Sequence, residues 1–277
     1  MEYFTLNNGI KMPILGFGTF LSSGDECEKA VCTAINNGYR LIDTAEAYGN
    51  EEFVGNGIKK SGVNREEIFI TTKVNFKSYE NTRETVINSL KKLKVDYIDM
   101  VLLHWPFGNV YKGWRELEKL YKEGIIKAIG VSNFDPDRLI DIINFNDVKP
   151  ALNQIETNIY CQRKEEHKWQ QKYGVAHQAY APLGQGKINE AFNEVIIKNL
   201  AEKYNKTPAQ IMLRFLIQSN VAVIPKSVHK ERIIENISIF DFKLENDEME
   251  SLKALDKNNP LIGNAEKPEF VEFAMTW

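Results

Sequence analysis

The chain has 277 residues, of which 43% are hydrophobic, and this size suits one α/β domain spanning residues 1–277. Its formal net charge of −3 gives no electrostatic reason to expect nucleic acid or an anionic membrane as a partner. Three cysteines without CxxC spacing argue against a disulfide framework or a zinc site, and no apolar run approaches the ~18 residues that cross a bilayer. We therefore expect a soluble, cytoplasmic protein that binds no metal.

The N-terminal segment predicts a β-hairpin, because residues 4–6 and 10–12 flank Asn7-Asn8-Gly9 and an Asn-Gly pair favours a type I′ turn. After it, eight short apolar runs alternate with longer amphipathic segments. These predicted strands are residues 14–19, 39–43, 68–73, 98–104, 126–132, 151–156, 175–180 and 221–226.

The segments between the runs have the spacing of helices with one apolar face. Two of these faces comprise Val86, Ile87, Leu90 and Leu93, and Trp114, Leu117, Leu120 and Tyr121. Asp135-Pro136 and Thr207-Pro208 resemble helix N-caps followed by proline at the first helical position. Eight strand–helix units without a linker predict a (β/α)₈ TIM barrel, with the hairpin capping its bottom. A doubly wound sheet is disfavoured because Gly16-Phe17-Gly18 does not continue as Gly-x-Gly-x-x-Gly.

Polar side chains end three successive predicted strands. Asp43, Lys73 and His104 close the second, third and fourth runs, and Tyr48 follows Asp43 by five residues. Alternate strand residues point into a barrel, and each of the three shares its parity with apolar residues of its own run. Any one of these residues alone is more often structural. Their joint position at the C-terminal mouth, where barrel enzymes carry their chemistry, predicts a catalytic site.

These four groups suit the protonation of a carbonyl oxygen. A free tyrosine has a pKa of ~10, and a unit charge at ~4 Å in an effective dielectric of ~20 is worth ~4 kcal/mol. We therefore expect Lys73 to lower the pKa of Tyr48 and Asp43 to keep Lys73 charged. The neutral imidazole of His104 can then donate to the same oxygen.

Three motifs in this order resemble the aldo-keto reductase superfamily: DTAEAYGNE at 43–51, TKV at 72–74 and LHWP at 103–106. The chain is similar to short-loop members such as bacterial 2,5-diketo-D-gluconate reductases and protist prostaglandin F synthases. The likeness runs from the hairpin past Asn236. It implies a (β/α)₈ barrel that reduces aldehydes and ketones with NADPH and without metal. On this resemblance Tyr48 is the general acid, Lys73 and Asp43 tune it, and His104 orients the carbonyl.

The resemblance also implies a cofactor cradle. Its nicotinamide end comprises Gly18, Thr19, Asp43, Ser132, Asn133, Gln154 and the stacking ring of Tyr180. The residues over the pyrophosphate are Ala181, Pro182, Leu183 and Gln185, with alanine at 181 where serine is usual. The adenosine end comprises Lys226, Ser227, Val228, Arg232, Glu235 and Asn236, with Lys226 and Arg232 on the 2′-phosphate.

The substrate side is predicted to be aromatic, with the small-molecule carbonyl bound among Phe20, Tyr48, His104, Trp105 and Phe107. Short segments after His104 and beyond Asn258 predict a shallow, open mouth for small aldehydes, α-dicarbonyls, keto-sugars or keto-acids. Of the other histidines, His167 is predicted to lie on the surface and His177 to face the helices. We expect a monomer.

Two other functions remain open. Lys73 is a buried strand-end lysine, as in a Schiff-base aldolase, although that chemistry needs a neutral amine. A regulatory subunit that binds cofactor without turnover is the second alternative, and it resembles potassium-channel β subunits of this superfamily.

Overall fold

The structure is a computed structural model that describes residues 1–277. It begins with a hairpin of two antiparallel strands, β1 (Tyr3–Thr5) and β2 (Lys11–Pro13). The predicted type I′ turn is wrong. The Leu6 N–H donates to the Ile10 carbonyl, so residues 7 to 9 together form the loop between the strands. Of these three residues only Gly9 has a positive φ, 86°. A three-residue loop that ends in a left-handed glycine replaces the two-residue turn.

Eight parallel strands follow, and they form one sheet in which each strand pairs with its neighbour in the sequence. The strands are β3 (Phe17–Gly18), β4 (Leu41–Asp43), β5 (Phe69–Val74), β6 (Ile98–Leu103), β7 (Ile126–Ser132), β8 (Leu152–Glu156), β9 (Ala176–Tyr180) and β10 (Ala222–Val223). A parallel bridge between Leu15 and Val223 joins the first strand to the last. The predicted barrel is thereby confirmed, and each predicted run overlaps one strand, with β5 extending one residue beyond its run. The first and last strands are shorter than predicted because only a few ladder hydrogen bonds form at this closure.

Helices follow the strands around the barrel. They are α1 (Gly24–Asn36), α2 (Glu51–Ser61), α3 (Thr82–Leu93), α4 (Val110–Lys122), α5 (Pro136–Asn144), α6 (Lys164–Tyr173), α7 (Val195–Tyr204), α8 (Pro208–Gln218), α9 (Lys230–Ile237), α10 (Asn246–Lys253) and α11 (Pro268–Ala274). The predicted apolar faces of α3 and α4 are buried except for Ile87 and Tyr121, which are partly buried. Both predicted N-caps are confirmed, and Thr207 forms a capping box with Gln210. None of the helices combines the length and the apolar character needed to cross a membrane.

The hairpin covers the N-terminal end of the barrel, as predicted. The side-chain amide of Asn7 donates to the carbonyl of Pro150 at 2.8 Å, and that of Asn8 donates to the carbonyl of Lys127 at 3.1 Å. Both carbonyls lie near the starts of barrel strands, β8 and β7 respectively. The opposite end, where the strands finish, stays free for a site.

Candidate active site

The four predicted catalytic side chains meet at the C-terminal mouth. The Lys73 ammonium lies 2.5 Å from Asp43 Oδ1, 2.9 Å from the Thr44 carbonyl and 3.5 Å from the Tyr48 hydroxyl. The ring of Tyr48 lies 5.8 Å from the ring of His104. Asp43 is the last residue of β4, Lys73 is the second-to-last residue of β5, and His104 directly follows β6. Tyr48 ends a short 3₁₀ turn, Glu46–Tyr48.

The electrostatics of the site differ from the sequence-based expectation in one respect. Burial raises the pKa of the Tyr48 phenol well above its ordinary value of 10, and the Asp43 charge adds to this rise. The prediction that Lys73 lowers this pKa is therefore wrong for the resting site. Loss of hydration outweighs the nearby cation, because the charged form of a buried phenol has no water to stabilise it. The phenol is thus held in its protonated, donor form.

Asp43 and Lys73 form a buried ion pair, with side chains 2% and 0% exposed. Burial raises the pKa of the Asp43 carboxyl and lowers the pKa of the Lys73 ammonium, while each partner opposes the shift of the other. Three acceptors surround the ammonium, on Asp43, Thr44 and Tyr48. Three acceptors match the three N–H donors of a protonated amine.

The surroundings of His104 favour the neutral imidazole that the sequence predicts. Burial lowers its pKa well below 6.5, and the Lys73 charge adds to this effect. Its Nδ1 is buried and has no hydrogen-bond partner, and its Nε2 makes no hydrogen bond within the protein. A neutral ring whose nitrogens bond to no other protein group can serve as a donor to a molecule in the mouth.

A second group of predicted residues is joined by hydrogen bonds beside the four. The Ser132 hydroxyl donates to the Gln154 carbonyl at 2.8 Å, and the Asn133 amide donates to the His104 carbonyl at 3.1 Å. The Tyr180 hydroxyl donates to Asn133 Oδ1 at 2.9 Å, which fixes the edge of its ring. The structure therefore brings the predicted nicotinamide-side residues together at the ends of β7, β8 and β9.

Gln154 also reaches across the barrel to the catalytic group. Its Nε2 donates to Asp43 Oδ2 at 2.7 Å and to Gln178 Oε1 at 2.7 Å. Thr19 completes this contact, because its backbone N–H and its hydroxyl donate to the Asp43 carbonyl at 3.1 and 2.9 Å. Gly18 packs so tightly that a Cβ there would lie 2.9 Å from the Ile224 carbonyl oxygen.

The predicted pyrophosphate segment is a tight turn over the same mouth. Ala181 and Gln185 adopt left-handed φ values of 49° and 50°, which few residues other than glycine and asparagine adopt. Pro182 is buried, Leu183 is partly buried and Gln185 is exposed. The Lys187 ammonium, just beyond this turn, donates to the Leu261 carbonyl at 2.8 Å.

The predicted adenosine side holds two cations without an acidic partner. Lys226 and Arg232 are exposed, and neither forms a salt bridge. The only hydrogen bond from the Lys226 ammonium goes to the Leu21 carbonyl at 3.2 Å. Arg232, Glu235 and Asn236 lie on α9, whereas Ser227 and Val228 precede it. Glu235 accepts from the Thr207 hydroxyl at 2.6 Å and so also supports the start of α8.

The aromatic walls are covered more than predicted. The rings of Phe20 and Tyr48 lie 4.9 Å apart, and Phe20 is 41% exposed. Trp105 and Phe107, however, are each 8% exposed, because Phe270 and Trp277 pack on this side. The expectation of an open mouth is wrong there, since the segment beyond Asn258 folds back over Trp105.

His167 is not a free surface residue. Its Nδ1 lies 3.0 Å from Nδ1 of His177, and His177 Nε2 lies 2.8 Å from the Thr157 hydroxyl. His177 is 2% exposed and contacts α6, so its predicted orientation toward the helices is confirmed. The prediction for His167 is wrong because it was made from the charged residues around His167, whereas His167 lies on the side of α6 that packs against β9.

Sequence reasoning missed two inward-facing residues. Gln178 shares the parity of Tyr180 on β9, and Glu156 shares the parity of Gln154 on β8. Gln178 supports Gln154, and Glu156 accepts hydrogen bonds from the chain near Leu261. The parity argument used for Asp43 would have found both.

Comparison with known proteins identifies the family of this chain. A model of the Aldo/keto reductase family matches residues 14–257. The chain belongs to this family. It is 45% identical over 266 residues to glyoxal reductase of Bacillus subtilis (strain 168), covering 95% of each chain. It is 42% identical over 259 residues to methylglyoxal reductase DkgA of Escherichia coli (strain K12), covering 92% of this chain and 94% of the relative.

Two solved structures show the same fold. An aldo-keto reductase, MGS-M4, from a Medee basin deep-sea metagenome library superposes with a TM-score of 0.93 at 41% identity, over 95% of this chain and 98% of that one. The Bombyx mori aldo-keto reductase (AKR2E4) in complex with NADP superposes with a TM-score of 0.90 at 34% identity, over 96% of each chain. The predicted family, fold and oxidoreductase class are confirmed.

Proposed function

We propose that this protein is an NADPH-dependent reductase of small aldehydes and α-dicarbonyls, with Tyr48 as the general acid. The convergence of Tyr48, Lys73, Asp43 and His104 at one mouth carries the proposal. The similarity to a glyoxal reductase and a methylglyoxal reductase supports the substrate class. Keto-sugars and keto-acids are the next substrates to test.

The residues present fit NADPH. Lys226 and Arg232 carry charges that no acidic side chain of the chain neutralises, as a site for a 2′-phosphate requires. Ser132, Asn133 and Gln154 offer hydroxyl and amide groups for the carboxamide, and the anchored ring of Tyr180 offers a flat face for stacking. The cradle would be completed by the remaining predicted cofactor residues, which are Gly18, Thr19, residues 181–183 and 185, Ser227, Val228, Glu235 and Asn236. NADPH, when bound, supplies the hydride.

The chain itself supplies the proton and the orientation. A carbonyl oxygen between Tyr48 and His104 accepts hydrogen bonds from the phenol and from the neutral imidazole. As negative charge develops on this oxygen, the phenol transfers its proton. The Lys73 ammonium, 3.5 Å from the phenolic oxygen, then stabilises the phenolate that forms. Phe20, Trp105 and Phe107 would form the apolar wall that keeps water away.

The Schiff-base alternative has less support. An amine that attacks a carbonyl must be neutral, whereas the three acceptors around Lys73 match an ammonium. Trapping of a carbonyl substrate on Lys73 with borohydride would favour the aldolase.

The test is the consumption of NADPH with a panel of glyoxal, methylglyoxal, simple aldehydes and keto-sugars. Tyr48→Phe should lower kcat about 10²- to 10⁴-fold and leave NADPH binding unchanged, because the variant loses only the acidic proton. Tyr111→Phe is the matched control, since its hydroxyl bonds to Asp141 on the barrel exterior. Undiminished turnover by Tyr48→Phe would refute the role of Tyr48 as the general acid. Tight NADPH binding without turnover on the whole panel favours the regulatory subunit.

The 2′-phosphate assignment has its own test. Arg232→Ala should weaken NADPH binding about tenfold or more and leave NADH binding unchanged, because only NADPH carries the phosphate. An equal loss for both cofactors would refute the assignment.

We also infer a single domain over residues 1–277 and a cytoplasmic monomer. The family match spans most of the chain, and three free cysteines suit a reducing compartment. Light scattering of the purified protein measures the oligomeric state.

A further inference from the structure

Glu156 is a buried carboxylate without a basic partner. It is 1% exposed, ends β8, and takes part in no salt bridge. Its two oxygens accept mainly from backbone N–H groups, from Leu261 at 3.0 and 3.1 Å and from Ile262 at 2.9 Å. Oε1 also accepts from the Asn158 side-chain amide at 3.5 Å. An unpaired buried charge is costly, so these backbone donors stabilise the carboxylate at this position.

The segment that Glu156 holds leads directly onto the aromatic wall. Gly263 follows Ile262, and a Cβ on Gly263 would lie 2.8 Å from the Trp105 indole. The rings of Phe270 and Trp277 lie 5.2 and 5.4 Å from the Trp105 ring. Trp105 in turn stacks beside His104, with ring centroids 6.0 Å apart. A continuous series of contacts therefore runs from Glu156 to the catalytic histidine.

A second contact ties the same peptide to the opposite side of the mouth. The Leu261 carbonyl accepts from Lys187, which follows the turn at residues 181–185, while the Leu261 N–H donates to Glu156. Leu261 is thus held from both directions. At the far end of the segment the Lys77 ammonium donates to the Trp277 carbonyl, and Phe270 and Trp277 pack on Trp105.

We propose that Glu156 is a positioning residue that fixes residues 261–277 over Trp105 and so determines how well the site binds large aromatic carbonyls. The proposal rests on the proposed reductase function for its substrate readout. A small dicarbonyl fits between Tyr48 and His104 and does not depend on the covering segment. A larger aromatic aldehyde extends to the wall formed by Trp105, Phe270 and Trp277, and it binds well only when that wall is in place.

The experiment compares the full-length chain with Glu156→Gln. The amide has the same shape, but it keeps one acceptor oxygen and turns its NH₂ group toward backbone donors. Hydrogen exchange at Leu261 and Ile262 should accelerate about tenfold or more, because bonds to a charged acceptor are lost. KM for 4-nitrobenzaldehyde should rise about five- to tenfold, since its aromatic contacts are lost. Its kcat and the kcat/KM for methylglyoxal should stay within about twofold.

Two further variants separate positioning from a general folding defect. Gly263→Ala leaves Glu156 intact but forces the segment away from Trp105, so it should raise KM for the aromatic aldehyde in the same way. Glu269→Gln is the control, because this exposed glutamate of the same segment makes no side-chain hydrogen bond or salt bridge.

Unchanged exchange at Leu261 and Ile262 in Glu156→Gln would overturn the proposal, and so would an equal loss of kcat/KM for both substrates. The exchange measurement needs no turnover. If the wild-type protein reduces no carbonyl, the proposed function fails, while the exchange result still decides whether Glu156 holds the segment.

Discussion

Replacement of Lys73 by methionine tests the buried ion pair most directly. Methionine has a similar length and no charge, so the substitution removes the cation 2.5 Å from Asp43 and leaves the packing nearly filled. The Asp43 carboxylate, 2% exposed, then keeps only the bond from Gln154 to its side chain. We expect a large loss of stability together with loss of turnover.

The magnitude follows from burial. Removal of one partner of a buried ion pair costs about 3–5 kcal/mol in the free energy of unfolding, because the other charge stays behind without compensation. For a protein of this size, that corresponds to a fall in Tm of roughly 6–20 °C. The sign of the pH dependence also follows. Without Lys73, burial raises the pKa of Asp43 further above its unfolded value, so the folded state favours the protonated acid. The destabilisation should therefore grow as pH rises from about 4 to 8.

Urea unfolding at several pH values measures this effect. Lys60→Met is the matched control, because the lysine of the Lys60–Glu28 pair is 57% exposed, and solvent-exposed pairs contribute little to stability. Addition of Asp43→Asn to Lys73→Met should restore more than half of the lost stability, since no buried charge remains. Two results would refute the reasoning. One is that Lys73→Met is as stable as Lys60→Met, and the other is that its loss of unfolding free energy becomes smaller at high pH.

Three more outcomes follow from the shifted pKa values. Burial lowers the pKa of His177 well below 6.5, so the stability that the neutral ring contributes is present above about pH 6.5 and is lost as pH falls. In His177→Gln, the free energy of unfolding measured with urea should change less between about pH 7 and 5 than it does in the wild-type protein. Burial raises the pKa of Asp135 to about 6, so the stability that its protonated form contributes is lost as pH rises through 6. Asp135→Asn should therefore raise Tm at about pH 8 and leave it unchanged near pH 3.5. An equal rise in Tm at both pH values would contradict this. Gln154→Leu removes a hydrogen-bond donor that lowers the pKa of Asp43. The acid limb of the pH profile of kcat, measured at saturating NADPH, should therefore shift to higher pH. Ser132→Ala should show no such shift, because the Ser132 side chain does not contact Asp43.

The barrel and the catalytic group could be predicted because they depend on regular structure. Alternation along each strand decides which side chains enter the barrel, and the chain direction decides which end they reach. Asp43, Lys73 and His104 follow from these two rules alone. Tyr48 lies on a short turn, so only the motif around it indicated its place.

The wrong predictions share a physical cause, which is that they depend on contacts or solvation outside the local pattern. The pKa of Tyr48 was argued from one nearby charge, but the loss of hydration dominates it. The segment beyond Asn258 carries no periodic pattern that would place it over Trp105, and the backbone donors of Leu261 that bond to Glu156 leave no trace in the sequence. The hairpin turn depended on whether its loop held two residues or three.

Asp43 shows why the buried charges are better explained by function than by stability. Its side chain binds Lys73 from β5 and Gln154 from β8, and its carbonyl accepts two bonds from Thr19 after β3. Well-packed apolar residues at such positions are often as stable as an ion pair, so stability alone does not require the charges. A proton donor beside a developing negative charge does require them. The same strand, β8, carries Gln154 toward this centre and Glu156 toward the covering segment, so proton transfer and substrate size should respond separately to substitutions two residues apart.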